Sequence, residues 1–264
     1  MIDGIHQSNL NMALRCGEQF RRRYIEDEIV PPGVAAGRGT GVHKANEANL
    51  IQKMSTGVDL GIDDLKDAAR DGFVKAFRNG VYLVGDEATR KDEVLNDALH
   101  DCLRCTEIYK ENVAPKITPV QVEVPFEVDV GLPLKLKGRI DFEDDNSVDD
   151  LKTSKKSWGH DQIQKEIQPI FYSMAHEHLT GIRPEFHYHI LVPLKTKKKY
   201  MHQSITPTDR HYASLMMKLK MMCKMIESGV FLPANPTSWW CSHKWCGYYQ
   251  TCVYVGNKPG KVWI

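Results

Sequence analysis

Leu136-Lys137-Gly138-Arg139-Ile140-Asp141-Phe142-Glu143-Asp144-Asp145-Asn146-Ser147-Val148-Asp149-Asp150-Leu151-Lys152 reads as two short strands joined by a polar turn. The first run is led in by Leu134 and Leu136, the second starts at Val148, and Glu143-Asp144-Asp145-Asn146-Ser147 between them is dense in turn formers. Side chains on a strand alternate faces, so Asp150 and Lys152 share one face and Asp149 points the other way. With the turn centred near Asp145, Asp141 falls opposite Asp149 or Asp150, close enough for two carboxylates to hold one cation. Two such acids repel each other at neutral pH, and a divalent ion is the simplest remedy. Asp-x-Lys spacing favours Asp150 over Asp149 as the ligand. For so short a pattern taken alone, an exposed acidic turn with a snorkelling lysine is the commoner outcome.

Two flanking stretches change that balance. Upstream, Gly37-Arg38-Gly39-Thr40-Gly41-Val42-His43 carries glycines expected to open a helix, with His43 and Glu47 one turn apart on one face. Downstream lies Gln168-Pro169-Ile170-Phe171-Tyr172. Gly138-x-x-Asp141 followed by Asp150-x-Lys152 resembles the core of the PD-(D/E)XK nuclease superfamily. The glycine-rich lead-in to His43 resembles that of the RecB-like exonuclease branch, which includes CRISPR-adaptation nucleases and phage exonucleases, and Gln168-x-x-x-Tyr172 resembles that branch's Gln-x-x-x-Tyr motif.

The resemblance implies an α/β fold of the restriction-endonuclease kind: a central mixed sheet flanked by helices, with a helical N-terminal region and a C-terminal cysteine-rich metal-binding segment. It implies one RecB-like nuclease domain over 1–264, made of a helical region, 8–115, that carries Cys16 and His43, a catalytic sheet and helix, 116–206, and a C-terminal helix and cysteine cluster, 207–264. The implied activity is a Mg²⁺- or Mn²⁺-dependent deoxyribonuclease of the exonuclease type, serving replication, recombination, repair or phage DNA processing. Single-stranded DNA or duplex ends would be its substrate, with recombination or replication proteins as partners. The alternatives are a CRISPR-adaptation nuclease that trims DNA before integration, and a non-catalytic nucleic-acid-binding subunit. Asp141, Asp150 and Lys152 together argue against the last, because clustered acids beside phosphate do nothing for a binding module.

Phosphodiester hydrolysis needs a deprotonated water, a shielded phosphate and a stabilised leaving oxygen, all of which bound divalent metal can supply. Asp141 and Asp150 offer hard oxygen ligands for Mg²⁺ or Mn²⁺, and His43 adds a nitrogen that favours Mn²⁺. The resemblance also implies Leu151 and Glu123 as part of the metal surroundings. Lys152 is expected to orient the water or offset charge on the phosphate. Gln168 and Tyr172 are expected to hydrogen-bond a DNA phosphate or the metal-bound water. Glu47 reads better as a surface partner within its own helix.

Seven cysteines without a secretory signal argue against a disulfide framework. Three lie in Trp240-Cys241-Ser242-His243-Lys244-Trp245-Cys246-Gly247-Tyr248-Tyr249-Gln250-Thr251-Cys252, and Cys16 stands far upstream. Cys16, Cys241, Cys246 and Cys252 resemble the split set by which some RecB-type nucleases hold an iron-sulfur cluster, expected here as 4Fe-4S. Four thiolates also make a closed zinc site, and a third reading is reduced thiols packed among Trp239, Trp240 and Trp245. Cys102 and Cys105, in a helical context, are expected to be core or half-buried thiols, and Cys223 a packing residue.

The length of 264 residues suits one large domain. Hydrophobic residues at 42% and charged residues at 26% are ordinary for a soluble globular protein. A net charge of +1 gives no support to a nucleic-acid partner. Basic residues cluster locally, however, in Arg21-Arg22-Arg23, in Lys155-Lys156 and in Lys195 with Lys197-Lys198-Lys199. No apolar run is long enough to span a bilayer, and Met1-Ile2-Asp3-Gly4-Ile5-His6 lacks the regions of a signal peptide, so the expected location is the cytosol of a bacterium, archaeon or phage-infected host, with no membrane partner.

Ser8 is expected to cap a helix bearing Leu10, Leu14 and Phe20, in a region ended by Pro31-Pro32-Gly33. Residues 62–112 have helical spacing with a break at about 80–86. From Val120 the period becomes two; residues 161–179 are helical with a kink or restart at Pro169 and a stop at Gly181. Residues 186–194 and 200–205 read as strands. Thr206-Pro207-Thr208-Asp209 starts a last helix, with proline at its first position, an apolar stripe of Leu215, Leu219, Met222 and Ile226, and a stop at Gly229.

Overall fold

The structure, a computed structural model, describes residues 2–144, 147–194 and 197–255. Asp145 and Asn146 of the expected turn, and Lys195 of one basic cluster, lie outside the described residues.

The chain opens with α1 (Gln7–Arg15), the short α2 (Gly17–Phe20) and one π-helical turn (Arg21–Ile25). Next come α3 (Val34–Thr56), α4 (Ile62–Ala76), the single turn α5 (Asp86–Thr89) and α6 (Lys91–Asn112). Strands β1 (Pro119–Val128), β2 (Leu136–Asp144) and β3 (Ser147–Thr153) follow, then α7 (Ile167–Thr180), β4 (Glu185–Pro193), β5 (Lys198–Ile205) and α8 (Asp209–Ser228).

The five strands form one mixed sheet in the order β1-β2-β3-β4-β5. β1, β2 and β3 are an antiparallel meander, β3 pairs parallel with β4, and β4 pairs antiparallel with β5. The parallel step needs a crossover, and α7 supplies it. Helices cover both faces. One apolar cluster joins Leu10, Phe171, Met174, Leu215 and Leu219 to Phe186, Tyr188 and Ile190 of β4. The other joins Val42, Leu65, Phe73 and Ile108 to Phe142, Leu151 and Leu191. The centre of the sheet is thus buried on both sides, which is why Ile190-Leu191-Val192 of β4 are apolar without alternation. This is the expected α/β architecture, a mixed sheet flanked by helices.

Four local expectations need correction. Gly39 and Gly41 do not open a helix: α3 starts at Val34 behind Gly33, and both glycines lie inside it. Packing explains Gly37 and Gly41, though not Gly39, whose Cβ position is open. A Cβ on Gly37 would come within 2.3 Å of the Phe77 ring, and one on Gly41 within 2.5 Å of Cys102 Sγ and 2.6 Å of the Ala69 carbonyl. Glycine lets α4 and α6 close onto α3, and that contact outweighs its poor helix propensity. Ser8 lies inside α1, which is capped by His6, and the helix breaks at Cys16 before reaching Phe20. The 161–179 segment is one 3₁₀ turn, Gln162–Lys165, followed by α7, with Pro169 in its first turn, where no N–H is needed. In the last helix Thr208 is the cap, so Pro207 precedes the helix. The stops at Gly181 and Gly229 are where expected, each in a left-handed conformation with φ 76° and 68°. Among the described residues, no helix is long and apolar enough to cross a membrane.

Candidate active site

Strand register brings three carboxylates to one level of the sheet. Val122 pairs with Phe142 and Val124 with Ile140, which sets Glu123 beside Asp141; Phe142 pairs with Asp149, which sets Asp141 beside Asp150. Regular pairing of β2 with β3 stops at Phe142, so the strands part where Asp141 and Asp150 stand. Glu123 has φ 54°, a left-handed conformation that costs a non-glycine residue energy and marks a local break in β1. The Gly138 position makes room for aromatic rings: a Cβ there would lie 2.5 Å from Phe126 and 3.2 Å from Tyr172.

Helices α3 and α7, together with β3, deliver the remaining groups. From α3, His43 Nδ1 reaches within 2.9 Å of Asp141 Oδ2. On β3, Lys152 Nζ is 2.6 Å from Asp150 Oδ2 and 5.2 Å from the centre of the Tyr188 ring. From α7, Gln168 Nε2 donates to Asp150 Oδ1, and the Tyr188 hydroxyl donates to Gln168 Oε1 at 3.3 Å. Tyr172 is half-buried, edge-on to Phe126 and stacked on Phe186. Leu151 buries its side chain in the α3–α6 cluster, so only its main chain is left to offer an oxygen. Glu123 Oε2 lies 3.3 Å from Arg139, and Glu47 binds Lys44 at 2.8 Å.

The protonation pattern follows from burial and crowding. Burial pushes the Asp150 carboxyl up, to about 6, with Lys152 opposing and the Asp141 charge adding. Asp141 goes the other way, because His43 and Lys152 overcome its burial. His43 rises to about 9: burial opposes its charge, but Asp141 dominates. Glu123 and Tyr172 are both raised, first by burial and then by the neighbouring carboxylates. Such opposed shifts within one cluster of side chains are characteristic of functional sites.

The donor set fits a divalent cation. Asp141 Oδ2 and Asp150 Oδ2 are buried without a well-aligned hydrogen-bond donor, since the approaches of His43 and Lys152 are ion pairs by distance alone. Hard oxygens with free lone pairs, beside one imidazole, are what Mg²⁺ or Mn²⁺ takes. Asp149 stands apart: it lies on the opposite face of β3 and binds His189 Nε2 at 2.8 Å and His187 Nδ1 at 3.3 Å.

Cys16, Cys241, Cys246 and Cys252 line one pocket with Trp240 and Tyr248, although Cys16 is more than two hundred residues from the others in sequence. The Ala234 amide donates to Cys16 Sγ at 3.3 Å, and Gln19 Nε2 lies 3.9 Å from Cys246 Sγ. Burial raises the Cys246 thiol, an amide of Tyr248 opposes it, and the other three sulfurs add to it. The two chain regions are held together by Arg22, which binds Glu28 and Thr251 and sits 4.8 Å over the Tyr248 ring. Trp239 packs on Trp240 and Trp245 nearby. None of the seven cysteines forms a disulfide, and Cys102 and Cys105 are core thiols pushed up to about 12 by burial.

Two features escaped the sequence reading. Tyr188 looks like one more core residue of β4, yet its hydroxyl and ring face Gln168 and Lys152. His187, His189 and His202 bring their ring nitrogens within 4.8 Å of one another on the Asp149 side of the sheet. The alternation His187-x-His189 in a strand was a readable sign of two imidazoles on one face.

No curated protein matches this sequence. Among solved structures, a "putative exonuclease" of Eubacterium rectale superposes with a TM-score of 0.60 at 14% identity, covering 98% of this chain and 91% of that one. SSO0001 is 15% identical over 97% of this chain and 89% of its own, with a TM-score of 0.43, too loose a likeness to bear on the fold. At such identities the Eubacterium rectale structure speaks to the fold alone. The family model of the PD-(D/E)XK nuclease superfamily matches residues 6–253, from the N-cap of α1 to beyond Cys252, and the chain belongs to that superfamily.

Proposed function

We propose that this protein is a divalent-metal-dependent DNA exonuclease of the RecB-like kind, with one catalytic centre and a cysteine-held iron-sulfur cluster in a single domain. The observation that carries the catalytic reading is the alignment of Glu123, Asp141 and Asp150 at one level across three strands, with Lys152 and His43 closing the site. A binding module would place cations, not three acids, against a phosphate.

Asp141, Asp150 and His43 would hold the cation, with the Leu151 carbonyl and Glu123 at its margin. Bound there, it would supply a deprotonated water and shield the phosphate. Lys152 stands beside Asp150, where its ammonium would offset the charge that builds on a phosphate oxygen. Gln168 orients the Asp150 carboxylate through its amide, and Tyr188 in turn orients Gln168. Tyr172 keeps its proton at neutral pH and is a hydrogen-bond donor for substrate.

A cleft of about 850 Å³ supports DNA as the substrate. Its lining includes none of His43, Glu123, Asp141, Asp150 or Lys152, and Thr153, next to Lys152 in the chain, points to the other face of β3; Arg23, Arg38, Lys155, Lys244, Tyr82 and Trp245 nevertheless put cations and stackable rings along it. Glu87, Glu93 and Asp97 also line it and limit its positive field. The cluster reading rests on four thiols around one pocket, with N–H groups directed at two of the sulfurs.

Digestion of end-labelled single- and double-stranded DNA by protein purified without oxygen tests the proposal, with and without Mg²⁺ or Mn²⁺. Mononucleotide or short-oligonucleotide release from an end, dependent on metal, is the expected result. Internal nicking would remove the exonuclease assignment, and no cleavage of either DNA under any metal would remove the enzyme.

A further inference from the structure

The face of the sheet away from Asp150 carries a second group of ligands that the nuclease site does not use. β4 supplies His187 and His189, two residues apart and so on one side of the strand; β5 supplies His202, which is directly paired with His189. One ligand nitrogen from each lies within 4.8 Å of the other two. Asp149, paired with His187 across the parallel β3–β4 step, reaches into the same group. Its Oδ1 is 2.8 Å from His189 Nε2 and 3.3 Å from His187 Nδ1. Two imidazoles thus converge on a single carboxylate oxygen, with a third ring beside them.

We infer that His187, His189, His202 and Asp149 form a second metal site, for a transition metal of the Zn²⁺ class, on the opposite face of the sheet from the nuclease centre. Three imidazoles, with one carboxylate oxygen beside two of them, are the donor types of a four-coordinate Zn²⁺ site and are poorly suited to Mg²⁺. The outer partners are also in place. A metal-bound histidine donates its second ring nitrogen to a carboxylate, a carbonyl or another polar group, which fixes the ring. His187 Nε2 faces Glu185 at 3.4 Å and His189 Nδ1 faces the Tyr200 hydroxyl at 2.9 Å, each leaving the nitrogen turned toward Asp149 for the metal. His202 is exposed at the mouth of a shallow cavity lined by Asp149, His187, His189 and Tyr200, so an ion can enter from solvent. An ion bound there would tie β3, β4 and β5 together directly behind Asp150 and Lys152.

Zn²⁺ titration of the whole protein, followed calorimetrically and by thermal melting, tests this site, with His202→Ala and His187→Gln as variants. His202 is exposed, so its truncation leaves the core intact. Each variant should bind one equivalent of Zn²⁺ fewer than the parent and lose the matching rise in melting temperature. Co²⁺ separates this site from the cysteines: the signal lost in His202→Ala should be visible ligand-field absorption, with the thiolate-to-cobalt charge-transfer band unchanged. Cleavage of DNA in Mg²⁺ is read in parallel, and its loss in the parent protein bears on the nuclease reading alone. Equal Zn²⁺ stoichiometry and affinity in the parent and both variants overturns the site, as does a loss confined to the charge-transfer band.

Discussion

Asp149 and Asp150 are consecutive on β3 and serve opposite faces of the sheet. Asp150 meets Lys152 at 2.6 Å and accepts from Gln168, whereas Asp149 meets His189 at 2.8 Å and lies 3.3 Å from His187. Their environments are opposed too. Burial holds the Asp150 carboxyl up at about 6, while hydrogen bonds from the two histidines hold Asp149 down at about 2 in spite of its burial.

Asp150→Asn should therefore abolish cleavage while leaving the metal-free protein at least as stable as the parent at neutral pH, because it removes a charge that burial disfavours. Asp149→Ala should do the reverse: cleavage persists in the folded fraction, and stability falls by about 3–5 kcal/mol as a buried pair loses its anion. Melting in EDTA alongside DNA digestion reads both. A cleavage-competent Asp150→Asn protein would transfer the ligand role elsewhere.

The His43 imidazolium gives a pH signature in metal-free protein. Its pKa is raised in the folded state, from 6.5 to about 9, so the stabilisation it contributes is fully present below 6.5 and is lost as pH rises through 9. The stability difference between parent and His43→Gln should be largest near the low end of that window and vanish above it. With Mn²⁺ bound, the ring is needed as a neutral ligand and the window should close. A pH-independent difference in EDTA would mean that His43 carries no charge in the folded protein.

In the proposed site Gln168 would act through Asp150, to which its amide donates. Gln168→Ala should cut activity by about 10–100-fold, the usual effect of losing a partner that orients a metal ligand, and extra Mg²⁺ should restore part of it. Saturation curves in Mg²⁺ check this: an unchanged metal requirement with the same loss would point to a direct role on substrate.

Much of the hairpin could be read from its residues. A period of two put Asp150 with Lys152 and Asp149 on the other side, and the turn length left only the choice between Asp149 and Asp150 as the neighbour of Asp141. The histidine group was less legible because it depends on non-local pairing: β3 meets β4 only after α7 has crossed over, and the His189–His202 pairing depends on the length of the β4–β5 turn. Gly39 and Gly41 misled for a different reason. Glycine is a weak helix former, so a helix start was the natural reading, but at Gly41 the lack of a side chain is what allows α4 and α6 to approach. Tyr188 was hidden by its apolar neighbours in β4.

Those two glycines should respond oppositely to the same change. A Cβ on Gly39 meets nothing within 4 Å, and Gly39→Ala should raise stability by about 0.5–1 kcal/mol through better helix propensity. Gly41→Ala forces a methyl against Cys102 Sγ and the Ala69 carbonyl and should cost about 1–3 kcal/mol. Because α3 also carries His43, Gly41→Ala should lower activity beyond the loss of folded protein. Chemical denaturation of both variants against the parent decides it; equal shifts of one sign would contradict the packing.

The four pocket cysteines and the three others should separate cleanly. If the four cysteines hold the proposed cluster, serine at Cys16, Cys241, Cys246 or Cys252 removes one ligand, so protein purified without oxygen should lose its iron and its brown colour and become less stable, since such a centre would join α1 to the segment after α8. Serine at Cys105, Cys102 or Cys223 should leave the iron content unchanged, because these thiols pack in the apolar clusters. Residual folded protein of the first group should still cut DNA, as Asp141 and Asp150 draw on other elements. Elemental analysis discriminates the centres: iron with acid-labile sulfide supports the cluster, and zinc lost together with any of the four cysteines means a structural zinc site. Neither metal leaves thiols packed beside Trp239, Trp240 and Trp245.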